Sequence, residues 1–314
     1  MGLVYHYTSP EAVLSILRNK ALWFSDCEFM NDPEEIAYCH RLYDEAWAEV
    51  CLEAGIPEEQ VNRRITSRAN PYECESPISE ELTFSVPARY YSFSTCAEAD
   101  NLAMWSCYAC RNGGTGYALG FDADLLTQEL QDLASSFLES EVYFDSRSGW
   151  VCYDENDQGE QIKRLILNHL VERSVVCERR SSLLDRVMAG EVARGGHWEQ
   201  ISALAPFIKR PGFSYEREYR FVIRLCQLPA DGLEGCGDGS KAKVKQGWRL
   251  SSSGTLVPHY ELSLGRAFSD VLKEVRVMHL GESDIAVSGM RRLLASFGYQ
   301  HVLVREADVQ LRKS

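Results

Sequence analysis

The chain has 314 residues and a formal net charge of −13 at pH 7, with 45% apolar and 25% charged residues. This is globular composition with room for one large domain or two medium ones, and so acidic a balance argues against a coat for nucleic acid. No run nears the roughly 18 consecutive apolar residues of a membrane-spanning helix, and the opening "MGLVYHYTSPEAV" has neither the basic nor the apolar region of a secretion signal. The 11 cysteines are scattered. Without a secretion signal they read as free thiols of a cytoplasmic protein. One pair, "CYAC" at Cys107 and Cys110, lacks a second pair at zinc-ligand spacing, so no metal is expected.

In chain order, "GLVYHYT" predicts a strand, and "SPEAVLSILRNK" a helix with Ser9 as N-cap and Pro10 at its first position. "ALWFSD" predicts a second strand. "NDPEEIAYCHRLYDEAWAEVCLEAG" predicts a helix capped by Asp32, with Glu34 and Glu35 suited to its dipole. Residues 56–88 read as a polar insertion. "ARYYSFST" is strand-like, "DNLAMWSCYACRNGG" helical, "TGYALGFD" strand-like, and "ADLLTQELQDLASSFL" helical. "SEVYF" and "GWVCYD" suggest a hairpin. Residues 158–206 carry helical periodicity, "YEREYRFVIRL" at 215–225 predicts a strand, and 227–254 reads as a loop or hairpin insertion. "VPHYELSL", "VLKEVRVMHLG" and "YQHVLVREADV" predict strands around a helix in "SDIAVSGMRRLLASFG". Without strict strand–helix alternation the class is α+β, read as a single domain, 1–314, with insertions at 56–88, 158–206 and 227–254.

Three stretches carry candidate chemistry. On a continuous strand from Tyr215, Glu216, Glu218 and Arg220 share one face. Two carboxylates roughly 7 Å apart repel on a dry face unless a cation or a task holds them. In "YHYT", His6 and Thr8 point opposite to Tyr5 and Tyr7. In "YYSFST", Ser92 and Ser94 share a face. Each stretch alone also fits an ordinary half-buried strand. Asn31 and Glu34 receive no role.

The order of a strand with His, a strand with Ser-x-Ser and a later strand with Glu-x-Glu resembles the ADP-ribosyltransferase superfamily. The stretches "YHYTSPEAVLSIL", "LWFSDCEFMNDPEE", "YYSFSTCAEADNLAMWSCYA", "GYALGFD" and "YEREYRFVI" resemble the bacterial family filed as domain of unknown function 2971. The first resemblance implies a split mixed sheet and cleavage of NAD+ between nicotinamide and ribose. It also implies roles. Glu218 would stabilise an oxocarbenium-like sugar, and Glu216 would orient or deprotonate the acceptor. His6 would meet the adenosine-side ribose, with Tyr7 and Thr8 beside it. Ser92 and Ser94 would support the carboxylate or the nicotinamide ribose. Arg220 would hold a phosphate or orient Glu218, and Trp105 and Tyr108 would wall the nicotinamide. Partners would be NAD+ and a protein or nucleic-acid acceptor, as in a toxin or an antiphage effector. Two alternatives stay open: a non-catalytic nucleotide- or partner-binding module, and an RNA 2′-phosphotransferase-like enzyme.

Overall fold

The structure, a computed structural model, describes residues 2–32, 34–53, 89–110, 114–136, 144–176, 195–225, 233–234, 243–251, 254–279 and 283–309. The chain divides into two compact units, one of Met1–Phe29, Ala88–Val151 and Phe213–Ser314, the other of Met30–Pro87 and Cys152–Gly212. The stretches read as insertions at 56–88 and 158–206 thus belong largely to the second unit. Residues 56–88 themselves lie outside those described.

The first unit is mixed α/β, built on one large mixed sheet. Its strands are β1 (Leu3–Thr8), β2 (Ala21–Asp26), β3 (Arg89–Cys96), β4 (Gly116–Asp122), β5 (Phe144–Trp150), β6 (Glu218–Leu225), β7 (Leu233–Glu234), β8 (Lys243–Leu250), β9 (Leu256–Ser263), β10 (Leu272–Met278) and β11 (Leu303–Glu306). The strand order is β11-β10-β4-β1-β3-β2-β9-β8-β7, with β6 and then β5 joined through β3. Pairing is antiparallel except between β10 and β11.

The sheet forks at β3. β6 runs along the whole of β3, from Arg89↔Leu225 to Cys96↔Glu218, and occupies one edge completely. The other edge is shared: β2 takes one end through Ser25↔Ser92 and Asp26↔Tyr91, and β1 takes the far end through Tyr5↔Cys96. Two arms therefore leave β3 side by side, β1-β4-β10-β11 and β2-β9-β8-β7.

Helices α1 (Pro10–Asn19), α3 (Ala123–Ser136) and α7 (Ser283–Ser296) cover one sheet face, with α2 (Glu35–Glu53), α4 (Glu155–Val176), α5 (Gly195–Leu204) and α6 (Phe268–Val271) completing the order. Ser9 caps α1 as expected, its Oγ accepting from Ala12 N. The apolar stripes of α1 (Val13, Leu17), α3 (Leu126, Leu130) and α7 (Met290, Leu294) meet Phe24, Phe93, Phe121 and Phe221 from the strands. Each large side chain fully buried there contributes roughly 1.5–3 kcal/mol. The opposite face carries a smaller cluster of Tyr5, Tyr7, Cys96, Met104 and Trp105.

Two local expectations change, at β5 and in the helix after β3, and 227–254 takes one of its two expected forms. Where "SEVYF" and "GWVCYD" suggested a hairpin, "FDSRSGW" forms one strand, β5, because tertiary pairing along β6 overrides its turn-like composition; residues 140–143 lie outside those described. Within 227–254 the described residues form the hairpin β7–β8, and β8 joins β9. After one turn at Leu102–Met104 the "DNLAMWSCYAC" helix widens to a π-helix at Trp105–Ala109, closed by Cys110 N donating to Trp105 O.

In the second unit α2 packs Tyr38, Tyr43 and Trp47 against Ile162, Ile166, Ile201 and Ile208. Asp32 caps α2 as expected: its Oδ1 accepts from Glu34 N at 3.0 Å. Glu34 pairs with Arg210, and Glu35 forms a buried pair with Lys209 at 3.7 Å. Gln158 ties this unit together, accepting from Tyr38 and donating to the carbonyls of Cys152 and Lys209.

Gly120 is a close-approach position. A Cβ there would meet Tyr5 Cε1 at 2.9 Å and Glu274 Cβ at 3.2 Å. Gly120→Ala is expected to destabilise by about 1–3 kcal/mol through overpacking, read as a shift in the urea midpoint.

Candidate functional site

Glu218 opens β6, but the strand does not extend back to Tyr215. Pro211–Glu216 is a 3-10 helix, and Arg217 takes φ 44°. A left-handed conformation costs an L-residue about 1–2 kcal/mol, and the turn after β3 holds it there. Ala97 N donates to Arg217 O at 3.0 Å, and the Arg217 guanidinium pairs with Glu98. Asn101 Nδ2 donates to Glu98 Oε2 at 2.9 Å and to Tyr215 O at 2.8 Å. Glu216 is therefore not on a strand face beside Glu218, which corrects the alternation argument. It is buried, and its Oε1 accepts from Tyr108 at 2.6 Å.

Glu218 and Arg220 do share a face. They form an ion pair, Nη2 to Oε2, of 2.7 Å, with Glu218 5% and Arg220 0% exposed. Such a burial leaves Arg220 no surface for a phosphate from solvent. Of its two expected tasks, orienting Glu218 is the one its geometry performs. Removing one member of a buried pair typically costs 3–5 kcal/mol, so this pair is also structural.

Cross-strand pairs share a face, which sorts the remaining candidates. The row Glu274–Gly120–Tyr5–Cys96–Glu218 crosses β10, β4, β1, β3 and β6. Ser94 sits opposite Arg220, and Ser92 opposite Val222, on that same face. The row through Ser92 continues to Ser25, His259 and Gly247. One polar face thus carries Glu218, Arg220, Ser94, Ser92, Ser25 and His259. Ser92 Oγ, Ser94 Oγ and His259 Nδ1 are buried there without a hydrogen-bond partner among the described residues. Each such orphan costs about 1–3 kcal/mol.

His6 lies on the other face by alternation, tilted against Phe93 with ring centroids 4.5 Å apart. It meets the polar face through one peptide only: its Nδ1 lies 2.9 Å from Ser94 O. A carbonyl accepts, so Nδ1 carries the proton and donates. The imidazole thereby satisfies a β3 carbonyl at the fork. Burial lowers the His6 pKa, which the Ser94 bond partly offsets, and the ring stays neutral at pH 7. Thr8 is buried on the same side as His6.

Tyr7 and Trp105 are scaffold. Tyr7 OH donates to Glu98 O at 2.7 Å and accepts from Asn101 N at 2.9 Å. Trp105 is 0% exposed, stands edge-on to Tyr7, and donates to Asp100. It offers no wall to a ligand. The i→i+5 winding separates it from Tyr108, which is half-buried and directed to Glu216. Ser25 and His259 join this face without a motif to announce them. Only the alternation of "VPHYELSL", with Tyr260 in the core, pointed to a face-out His259.

Both histidines couple stability to pH. His259 is lowered to about 4, mainly by burial and next by the Arg249 charge. The unfolded chain binds protons below about pH 6.5 that the folded chain refuses. For His259 stability should therefore be full above pH 6.5 and fall as pH drops towards 4, by up to about 1.4 kcal/mol per unit, and His6 shifts it in the same direction. Denaturation midpoints between pH 7 and 4 should fall less steeply in His259→Gln than in wild type. Equal slopes would contradict a buried neutral His259.

Among the described residues no helix is long and apolar enough to cross a membrane. No curated protein and no solved structure matched the chain. Residues 104–221 match the family described as "Protein of unknown function (DUF2971)". That span takes in Trp105, Tyr108, Glu216, Glu218 and Arg220, and it leaves out His6, Ser92 and Ser94.

Proposed function

We propose that the protein cleaves NAD+ between nicotinamide and ribose and passes the ADP-ribosyl group to a protein or nucleic-acid acceptor, or to water. The observation that carries this reading is the fork at β3, with a buried carboxylate fixed by Arg220 one strand from Ser94 and a neutral His6 clamped to the Ser94 carbonyl. The resemblance to ADP-ribosyltransferases leads one to expect a split sheet with a histidine and a carboxylate on its strands.

The C–N bond breaks with its electron pair leaving on the nicotinamide nitrogen. C1′ of the ribose becomes oxocarbenium-like, and the Glu218 carboxylate stabilises that charge while Arg220 keeps it oriented. The acceptor's nucleophile then bonds to C1′ and gives up its proton to Glu216, which Tyr108 holds in place. His6, on the opposite face with its Nδ1 committed to Ser94, acts through the Ser94 peptide that it fixes and not by touching the ribose. Ser92 and Ser94 supply hydroxyls on the carboxylate's side.

The closed Glu218–Arg220 pair also favours a second reading, a nucleotide-binding module without turnover. The test is release of nicotinamide, and transfer of label from adenylate-labelled NAD+ to lysate components, by wild type and Glu218→Gln. Glu218→Gln keeps the shape of the pair, and circular dichroism confirms its fold. Turnover reduced about 100-fold or more is the expected result. Binding of NAD+ without turnover by wild type selects the module, and turnover undiminished in a folded Glu218→Gln contradicts the role of Glu218.

A further inference from the structure

The β2-β9-β8 arm carries a polar group that the cleavage chemistry does not use. On the face of Ser92 and Glu218 it presents Trp23 and Ser25 from β2, His259 from β9, and Gly247 and Arg249 from β8. Trp23 is 38% exposed and stacks on His259, with centroids 4.4 Å apart and planes 27° apart. His259 lies over Gly247, where a Cβ would come within 2.6 Å of its Nε2. Arg249 reaches diagonally across β9, placing Nη2 3.3 Å and Nε 3.4 Å from Ser25 Oγ. Glu261, on the same face, sits opposite Lys245. Ser92 and His259 are each 3% exposed, and Ser92 Oγ and His259 Nδ1 lack partners among the described residues. The group thus offers a guanidinium, the Ser25 hydroxyl and an aromatic surface braced by a buried imidazole.

We propose that this platform binds the phosphorylated end of a nucleotide, its phosphate on Arg249 and Ser25 and its base against the exposed surface of Trp23. A cation beside a hydroxyl recognises a phosphate, and an exposed indole recognises a base by stacking. Gly247 is what lets His259 lie flat and brace Trp23. The platform is separated along β3 from the Glu218 row by the four residues from Ser92 to Cys96, roughly 13 Å. A dinucleotide spans that separation. Identifying the nucleotide as the adenylate half of NAD+ rests on the function proposed above; the platform itself does not.

Calorimetric titration with AMP, adenosine and inorganic phosphate tests this on wild type, Arg249→Gln, Trp23→Leu and, as a control at the end of the hairpin, Trp248→Ala. AMP should bind wild type and Trp248→Ala alike. Arg249→Gln should weaken AMP about tenfold or more and remove any affinity for inorganic phosphate, while Trp23→Leu should weaken AMP and adenosine but not phosphate. Trp23 is surface-exposed, so its variant keeps the test sound if Arg249→Gln fails to fold. Failure of AMP to bind wild type, or equal affinity in Trp23→Leu and wild type, overturns the platform. AMP binding by this pattern in a protein that does not cleave NAD+ leaves the platform standing and removes the cleavage reading. NAD+ cleavage with no AMP binding does the reverse.

Discussion

One edge of β3 has two claimants, and the arrangement of the first unit follows from that. A strand edge pairs with one neighbour at a time, so β1 and β2 divide it between its ends. Between those ends β3 has backbone groups with no strand to meet, and a buried unpaired carbonyl is costly. His6 meets that cost at Ser94. The histidine is therefore structural before it is anything else, and its low pKa follows from the burial that makes it so.

The two sheet faces divide the work. One is apolar and holds the helices through Phe24, Phe93, Phe121 and Phe221. The other keeps a fixed carboxylate, an arginine bound to it, and unsatisfied hydroxyls and imidazole among the described residues. A core built only for stability would replace these groups with apolar side chains, at little cost or with gain. Retaining them buried, next to an L-residue held at positive φ, places strain and polarity at one location, the pattern of a functional site. The Tyr7–Glu98–Asn101–Arg217 network ties the turn after β3 to the residue that precedes Glu218.

Much of this was legible from residue patterns. The Ser9 and Asp32 caps, the strand at Ser92–Ser94 and the alternation from Glu218 to Leu225 all follow from local rules. Glu216 was misplaced because its departure from the strand is set by the turn at Glu98 and Asn101, more than a hundred residues earlier in the chain. β5 was hidden because its Ser, Arg and Gly are strand-forming only against β6. The fork, and the shared face of His259 and Ser92, depend on register, which no single strand encodes. Trp105 and Tyr108 looked like neighbours on an α-helix, and the π-helical winding separated them.

The most direct measurement is a crystal structure of the protein with a non-cleavable NAD+ analogue. The analogue should lie on the polar face, its nicotinamide ribose within hydrogen-bond reach of Glu218. An analogue bound away from this face, or bound there with its ribose remote from Glu218, would contradict the role of Glu218.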